Sequence, residues 1–224
     1  FHNMVERAFT DDGLSHEAGV YHWFTVDPMM KFVEKMDRLG IDVMSPRFKR
    51  VFDGTLANTP TGVIGNWKAG GYFARAYKSY RDPAYIPTLK NSSNRKHVYW
   101  PPQGMSEAEV IAEEAKAPEP LTNNTLQKSN GYLWLREQSD KGFRALSINY
   151  IMQYDRSELD RLHVSLFDPQ RVTHEVHRIK YGSPMAGMMK KTYGHNTVTI
   201  DRKDQKALPS TLAAFLDRDK LPAA

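Results

Sequence analysis

The residues best suited to chemistry near the N-terminus lie in the stretch DDGLSHEAGVYHWF, which holds Glu17, Tyr21 and His22. A tyrosine hydroxyl acts as a general acid or base when positive charge nearby lowers its pKa from an ordinary value of about 10. The same spacing also occurs when a tyrosine and a histidine pack against neighbouring rings, here Trp23 and Phe24. The stretch is therefore a candidate for acid–base catalysis, with simple packing as the alternative.

A second candidate lies in the stretch GHNTVTID, where His195 precedes an alternating run of apolar and polar residues. The alternation predicts a short β-strand from Asn196 to Asp201. A histidine at the mouth of a strand can ligate a metal through its neutral imidazole. A histidine held by hydrogen bonds for structural reasons is the alternative, and the spacing leaves both open.

A third set of charged residues and histidines lies between these stretches, and its members are Arg156, Glu158, Asp160, His163, His174, Glu175 and His177. The sequence H-E-V-H within this set suggests a metal site at first sight. Its histidines are three residues apart, however, whereas helical zinc proteases use H-E-x-x-H. A surface turn is the favoured interpretation of this segment.

The elements that must position the N-terminal candidate are helices. Asp27 as N-cap, Pro28 in the first turn and Gly40 at the end predict a helix with apolar residues at helical spacing. A second helix is predicted over residues 71–80 from the helical spacing of Phe73, Ala76, Tyr77 and Tyr80. Asp82 and the proline after it stop helical continuation.

The neighbouring segments are less regular. A short helical turn is predicted over residues 84–89, and Ser106 and Glu109 form the pattern of a capping box ahead of a further helix. Residues 41–70 contain Pro, Gly and Asn throughout, which predicts a long irregular loop.

The period of the apolar pattern changes from helical to alternating after a polar stretch that we predict to be a linker, residues 121–130. Strands are predicted from Tyr132 onward and over residues 145–151 and 162–167. Helices first and strands afterwards predict an α+β, multidomain chain. Its domains are then a helical one over 1–120 and a β-rich one over 131–224.

The composition fits a folded protein with a mildly basic surface. Hydrophobic residues make up 40% of the chain and aromatic residues 11%, which excludes disorder of the whole chain. No run approaches the roughly eighteen apolar residues of a membrane span. The absence of cysteine excludes a disulfide framework and thiolate metal sites. The net charge of +5 suits an acidic partner or a merely solvated surface, and the dispersed lysines and arginines argue against nucleic acid.

Taken in order, several motifs resemble those of the heparinase II/III-like family of polysaccharide lyases, alginate-lyase relatives included. The segments that carry the resemblance along nearly the whole chain are DGLSHEAGVYHWF, VFDGTLANTPTGVIGN, YFARAYKSYRDPAY, NGYLWLRE, LDRLHVSLFD and YGHNTVTIDRKDQ. The last segment is the most specific. The resemblance implies the end of an α/α toroid followed by the start of an antiparallel β-sandwich, so we expect the chain to be a piece of a longer protein.

The activity that the resemblance implies is β-elimination next to a uronic acid in an anionic polysaccharide or oligosaccharide. Tyr21 then corresponds to the catalytic acid, and also to the base. Glu17, His22 and Asn66 correspond to substrate-binding residues, and Arg156 is a further candidate because its guanidinium can pair with a substrate carboxylate. The family also implies a periplasmic or extracellular location, and a homo-oligomer is left open.

The resemblance further implies a zinc site that includes His195. The chain departs from the family here, because Arg156 and Glu158 stand where the family carries the histidines of an H-x-H motif. Glu158 and Glu175 are then the candidates to complete a site with His195. The alternative function is a non-catalytic glycan-binding or structural relative that has lost the active-site histidines.

Overall fold

The computed structural model describes two compact units, Phe1–Leu121 and Thr122–Ala224. The described residues are 1–16, 20–64, 67–94, 97–119, 121–150, 162–168, 171–172, 183–185, 187, 191–192, 196–205 and 211–215, with the backbone alone at 20, 21, 67, 171 and 172. The first unit is helical and the second contains an antiparallel sheet, so the predicted α+β class is confirmed.

The helices of the first unit are α1 (His2–Ala8), α2 (Val20–Arg38), α3 (Pro46–Ala57), α4 (Trp67–Tyr80), α5 (Ile86–Ser92) and α6 (Glu107–Glu114), with a 3₁₀ turn at Pro83–Tyr85. Helix α4 covers the helix predicted over 71–80, and the 3₁₀ turn with α5 covers the turn predicted over 84–89. Helix α6 starts with the predicted capping box of Ser106 and Glu109. Within the described residues, no helix is both long enough and apolar enough to cross a bilayer.

Helix α2 begins at Val20, so the start predicted at Asp27 is wrong and Pro28 lies inside the helix. Proline has no N–H to donate to the carbonyl four residues earlier, which normally ends a helix. Burial of one face outweighs that loss here, because Val26 and Val33 are each only 1% exposed. Tyr21 and His22 are therefore part of the helix and do not precede it.

The end of α2 follows the prediction. Gly40 has φ of +73°, its N–H donates to the Asp37 carbonyl at 2.9 Å, and the Ile41 N–H reaches back to the Met36 carbonyl at 2.9 Å. These two bonds are those of a Schellman motif, which needs a residue that tolerates the left-handed conformation.

Helix α3 lies inside residues 41–70, so the prediction of one long loop is wrong there. The Ser45 hydroxyl accepts a hydrogen bond from the Phe48 N–H at 3.2 Å, and Pro46 occupies the first turn, where its missing N–H costs nothing. Phe48, Phe52 and Leu56 follow one another at helical spacing and are at most 6% exposed. The sequence therefore contains apolar residues at helical spacing in this segment, although Pro, Gly and Asn residues lie among and around them.

The core of the first unit contains a cluster of packed aromatic rings. The Phe52 ring contacts the rings of Phe48, Phe73 and Tyr85 at centroid distances of 5.4 to 6.1 Å. These rings belong to α3, α4 and the 3₁₀ turn, so one cluster joins three elements. Edge-to-face contacts of this kind add stabilisation beyond the buried area.

The sheet of the second unit consists of β1 (Thr125–Gln127), β2 (Tyr132–Ser139), β3 (Gly142–Asn149), β4 (His163–Asp168) and β5 (Arg171–Val172). Neighbours in sequence are neighbours in the sheet, and every pair is antiparallel. Strands β2, β3 and β4 agree with the predictions. Strand β1 lies within the stretch predicted to be a linker, residues 121–130.

The two faces of this sheet differ in chemistry. One face carries only apolar side chains on its central rows, namely Leu126, Leu133, Leu135, Leu146, Ile148, Val164 and Leu166. The other face mixes Trp134 with buried polar residues such as Ser147 and Asn149. An apolar face on a sheet favours packing against another layer.

The strand predicted from Asn196 to Asp201 is not formed. Ile200 makes one isolated bridge to Lys203 around a turn in which Asp201 and Arg202 have positive φ. Val198 and Ile200 are 67% and 76% exposed, so the alternating pattern does not bury its apolar side. The Asn196 carbonyl accepts a hydrogen bond from the Val164 N–H at 2.9 Å, which ties this segment to β4 without extending the sheet.

Candidate functional site

Two of the predicted site residues lie in the first turn of helix α2. The backbone of Tyr21 is described there, and His22 is described in full. The remaining predicted site residues, Glu17, Asn66, Arg156, Glu158, Glu175 and His195, lie outside the described residues, so their roles stay predictions.

His22 is buried, at 2% exposure, and both of its ring nitrogens have protein partners. The Ser15 N–H donates to Nδ1 at 3.0 Å, and Nε2 lies 2.8 Å from the hydroxyl of Thr55. That hydroxyl donates its own hydrogen to the Val51 carbonyl at 2.5 Å, so it can only accept from His22. These contacts assign the neutral tautomer with hydrogen on Nε2.

This environment gives His22 a structural role, which differs from the substrate contact that the resemblance implies. Burial lowers the pKa of His22 to about 4, so the ring is neutral at physiological pH. The ring joins the loop at Ser15 to helix α3 at Thr55. His22 therefore holds in position the helical turn that carries Tyr21.

The His22 contacts predict that the protein loses stability in mild acid. The pKa is about 4 in the folded state and about 6.5 in the unfolded chain, so the unfolded chain binds the extra proton between these values. The free energy of unfolding is thus expected to fall by up to about 3 kcal/mol as the pH drops from 6.5 to 4. Urea denaturation of the native chain and of His22→Gln across this window measures the effect, and the variant should lose much of it.

The control for this experiment is His2→Gln, since the His2 side chain is 62% exposed. This variant should keep the pH dependence of the native chain. An unchanged acid response in His22→Gln would contradict the assignment of the effect to His22.

The loop that holds His22 fits closely against helix α3. Gly13 has φ of +81°, and a Cβ atom added to it would lie 1.9 Å from the Arg50 carbonyl oxygen. A Cβ atom added to Gly54 of α3 would lie 2.0 Å from the Asp12 carbonyl oxygen. Two glycines therefore let the backbones of loop and helix touch, which fixes the distance between Ser15 and the His22 ring.

A groove with a volume of about 420 Å³ lies between helices α2 and α4. Its lining includes three cationic side chains, two carboxylates and two tyrosines, namely Lys31, Lys68, Arg75, Asp27, Glu34, Tyr72 and Tyr99. The groove thus has a net positive charge and aromatic walls. Pockets of this size accommodate small organic ligands.

Asp27 is the centre of the polar contacts in the groove. Its carboxylate accepts a hydrogen bond from the Tyr72 hydroxyl and pairs with the Lys31 ammonium at 2.6 Å. The hydrogen bond from Lys31, followed by that from Tyr72, lowers the pKa of Asp27, and the charge of Lys68 acts in the same direction. Desolvation and the bond to Asp27 raise the pKa of Tyr72, so Tyr72 stays protonated at neutral pH.

The aromatic walls of the groove are built by stacking and close packing. The Trp23 ring stacks on the Tyr72 ring, with centroids 5.8 Å apart and planes 26° apart. The Tyr99 ring packs on α4 because Gly70 has no side chain, and a Cβ there would lie 2.5 Å from the ring. Trp23 also contacts the His22 ring at a centroid distance of 5.5 Å. The groove and the Tyr21 turn therefore share one packed segment of α2.

Sequence reasoning missed this groove, although a signal was present. Polar residues recur at the first, fifth and eighth positions of a stripe on α2 (Asp27, Lys31, Glu34) and on α4 (Lys68, Tyr72, Arg75). Such spacing puts the three side chains of each stripe on one helix face. Only the packing of α2 beside α4 shows that the two stripes line one groove.

The described residues contain no group of three or more His, Cys, Asp or Glu side chains that could hold a metal ion. The residues proposed for zinc, Glu158, Glu175 and His195, are not among them. His163, from the third set, is 8% exposed, and its Nε2 lies 2.8 Å from the Ser165 hydroxyl.

Comparisons of the chain with protein-family models, with curated proteins and with solved structures find no match.

Proposed function

We propose that the protein is a polysaccharide lyase that cleaves a uronate-containing anionic glycan by β-elimination, with Tyr21 as catalytic acid and base. The observation that carries the proposal is the groove between α2 and α4, which combines net positive charge with aromatic walls. Cations suit the carboxylates of a uronate chain, and ring faces suit the apolar faces of its sugars. The groove shares helix α2 with Tyr21.

The reaction requires removal of the proton at C5 of the uronate and delivery of a proton to the leaving oxygen at C4. Positive charge near the carboxylate stabilises the enolate-like intermediate that forms between these steps. Tyr21 takes the C5 proton as base and returns it to the C4 oxygen as acid. The substrate-binding roles proposed for Glu17 and Asn66 follow the motif resemblance alone. The role proposed for Arg156 follows from the pairing of a guanidinium with a substrate carboxylate.

The same proposal extends to the architecture and to a metal. The helical unit is proposed as the end of an α/α toroid, and the sheet as one layer of a β-sandwich. The apolar face of the sheet supports the second part, because such a face favours a covering layer. Zinc is proposed at Glu158, Glu175 and His195, whose oxygen and nitrogen donors suit it, and bound there it would hold these three side chains in a fixed arrangement.

The direct test is incubation of the protein with a panel of uronate polymers and of neutral polymers. Elimination leaves a double bond conjugated to the carboxylate, so we expect a rise in near-ultraviolet absorbance with at least one uronate polymer and none with the neutral ones. Mass spectrometry of the products should show unsaturated ends without added water. Absence of such products across the uronate panel would overturn the lyase proposal.

The second candidate function is binding of an anionic glycan without cleavage. The observation that favours it is the presence of Arg156 and Glu158 where the family carries catalytic and metal-binding histidines. Retention of the protein on an immobilised uronate polymer, without product and without stoichiometric zinc in elemental analysis, would support this role over catalysis.

A further inference from the structure

The polar groups of the groove converge on a single carboxylate that belongs to the protein itself. Lys31 and Tyr72 both contact Asp27, and Lys68 is close enough for its charge to act on it. The Asp27 side chain is 36% exposed and therefore lies at the open side of the groove. Groups that bind one carboxylate in this way can also bind another of the same shape.

We infer that the centre of the groove is a subsite for the carboxylate of one uronate residue, and that Asp27 occupies this subsite as an internal substitute. The inference deepens the proposed function and takes its ligand class from it. A bound uronate would displace the Asp27 side chain and receive the hydrogen bonds of Lys31 and Tyr72. The sugar ring would then lie along the groove wall that Tyr72 and Tyr99 line.

The size and charge of the groove agree with a sugar acid. A volume of about 420 Å³ is ample for a monosaccharide. Arg75 is already paired with Asp37, and that pair lies at the far end of the stripe from Asp27. Lys31 and Lys68 are the groove cations whose charges act on Asp27, so they would also act on a ligand carboxylate in its place.

Asp27 has two effects on a bound uronate. Its negative charge repels the ligand carboxylate, and its contacts with Lys31 and Tyr72 must break before the ligand can use them. Only the fraction of molecules with Asp27 displaced is competent to bind, which weakens the apparent affinity. Removing the charge at residue 27 should therefore strengthen uronate binding, even when a polar side chain of the same shape is kept.

The experiment is titration calorimetry of the full chain with glucuronate, glucose and sulfate as probes. Asp27→Asn should bind glucuronate about three- to tenfold more tightly than the native chain, as expected for one partly exposed charge contact. Binding of glucose should not change. If the affinity for sulfate rises as much as the affinity for glucuronate, the subsite recognises negative charge alone and the uronate assignment is overturned.

The matched control is Glu34→Gln, which removes the same charge from the same groove and helix. Glu34 pairs with Arg38 at 2.5 Å and contacts neither Lys31 nor Tyr72 in the bonds described. Its effect on glucuronate binding should stay below about twofold, because only the long-range charge changes. An equal increase in glucuronate affinity in Asp27→Asn and Glu34→Gln would show a general charge effect and contradict the subsite.

A second variant keeps the test independent of Asp27. Lys68→Gln removes one of the two cations that act at this position and should weaken glucuronate binding about threefold without affecting glucose. If neither the native chain nor Asp27→Asn binds glucuronate, the subsite proposal is overturned. If the protein forms unsaturated products but Asp27→Asn does not bind glucuronate more tightly, the subsite proposal alone is overturned. If Asp27→Asn binds glucuronate more tightly but no product forms, only the lyase proposal is overturned.

Discussion

Replacing Tyr21 with phenylalanine is expected to abolish product formation from a uronate polymer while the helical unit stays folded. The change removes one oxygen atom and keeps the ring. Loss of a general acid or base costs about 10²- to 10⁴-fold in rate, and Tyr21 is proposed to serve as both. The initial rate of the near-ultraviolet absorbance increase measures the effect, with glucuronate titration to check that binding persists.

The matched control for this variant is Tyr80→Phe, another loss of a tyrosine hydroxyl in the same unit. The Tyr80 hydroxyl donates to the Ser45 carbonyl at 2.8 Å, so its removal costs about 1 kcal/mol of stability and should not change the rate. If Tyr21→Phe retains the native rate, Tyr21 is not the catalytic acid or base.

Replacing Gly54 with alanine is expected to destabilise the helical unit by about 2–4 kcal/mol, against the usual preference of helices for alanine. The added Cβ atom would lie 2.0 Å from the Asp12 carbonyl oxygen, which is a backbone atom and cannot rotate away. The loop that carries Ser15 must therefore move off helix α3. This movement also strains the hydrogen bond from the Ser15 N–H to His22.

The control is Gly71→Ala, because Gly71 is also a glycine inside a helix. The nearest atoms to its added Cβ are on the Tyr99 ring at 3.8 Å, which is ordinary contact. Helix propensity should then dominate and stabilise the unit by about 0.5–1 kcal/mol. Urea denaturation followed by tryptophan fluorescence compares the two variants, and equal effects would contradict the close packing of loop 10–15 on α3.

The elements predicted well are those whose sequence carries the whole signal locally. The Schellman end of α2 needs only Gly40, and the start of α6 needs only Ser106 and Glu109. Strands β2, β3 and β4 were predicted because each alternates over its own length. In these cases the local pattern and the tertiary structure agree.

The elements predicted wrongly are those where tertiary packing overrides a local signal. Asp27 and Pro28 locally indicate a helix start, yet α2 already begins at Val20, with Val26 and Val33 buried on one face. Pro46 and Gly54 favour a loop over residues 46–57, yet apolar residues at helical spacing in this segment are buried in the core. Residues 196–201 alternate as a strand does, yet they turn back at Asp201, and the Asn196 carbonyl accepts a backbone hydrogen bond from Val164 of the sheet.

The candidate site follows the same division. The sequence by itself determined the α+β class, the order of helices before strands and Tyr21 as the residue to test, because composition, period and motif are local properties. The tertiary structure alone decided that His22 is a neutral support, since Ser15 and Thr55 reach it from distant parts of the chain. It also decided that Asp27 and Tyr72 share one groove, because two polar stripes on separate helices become a site only when the helices pack side by side.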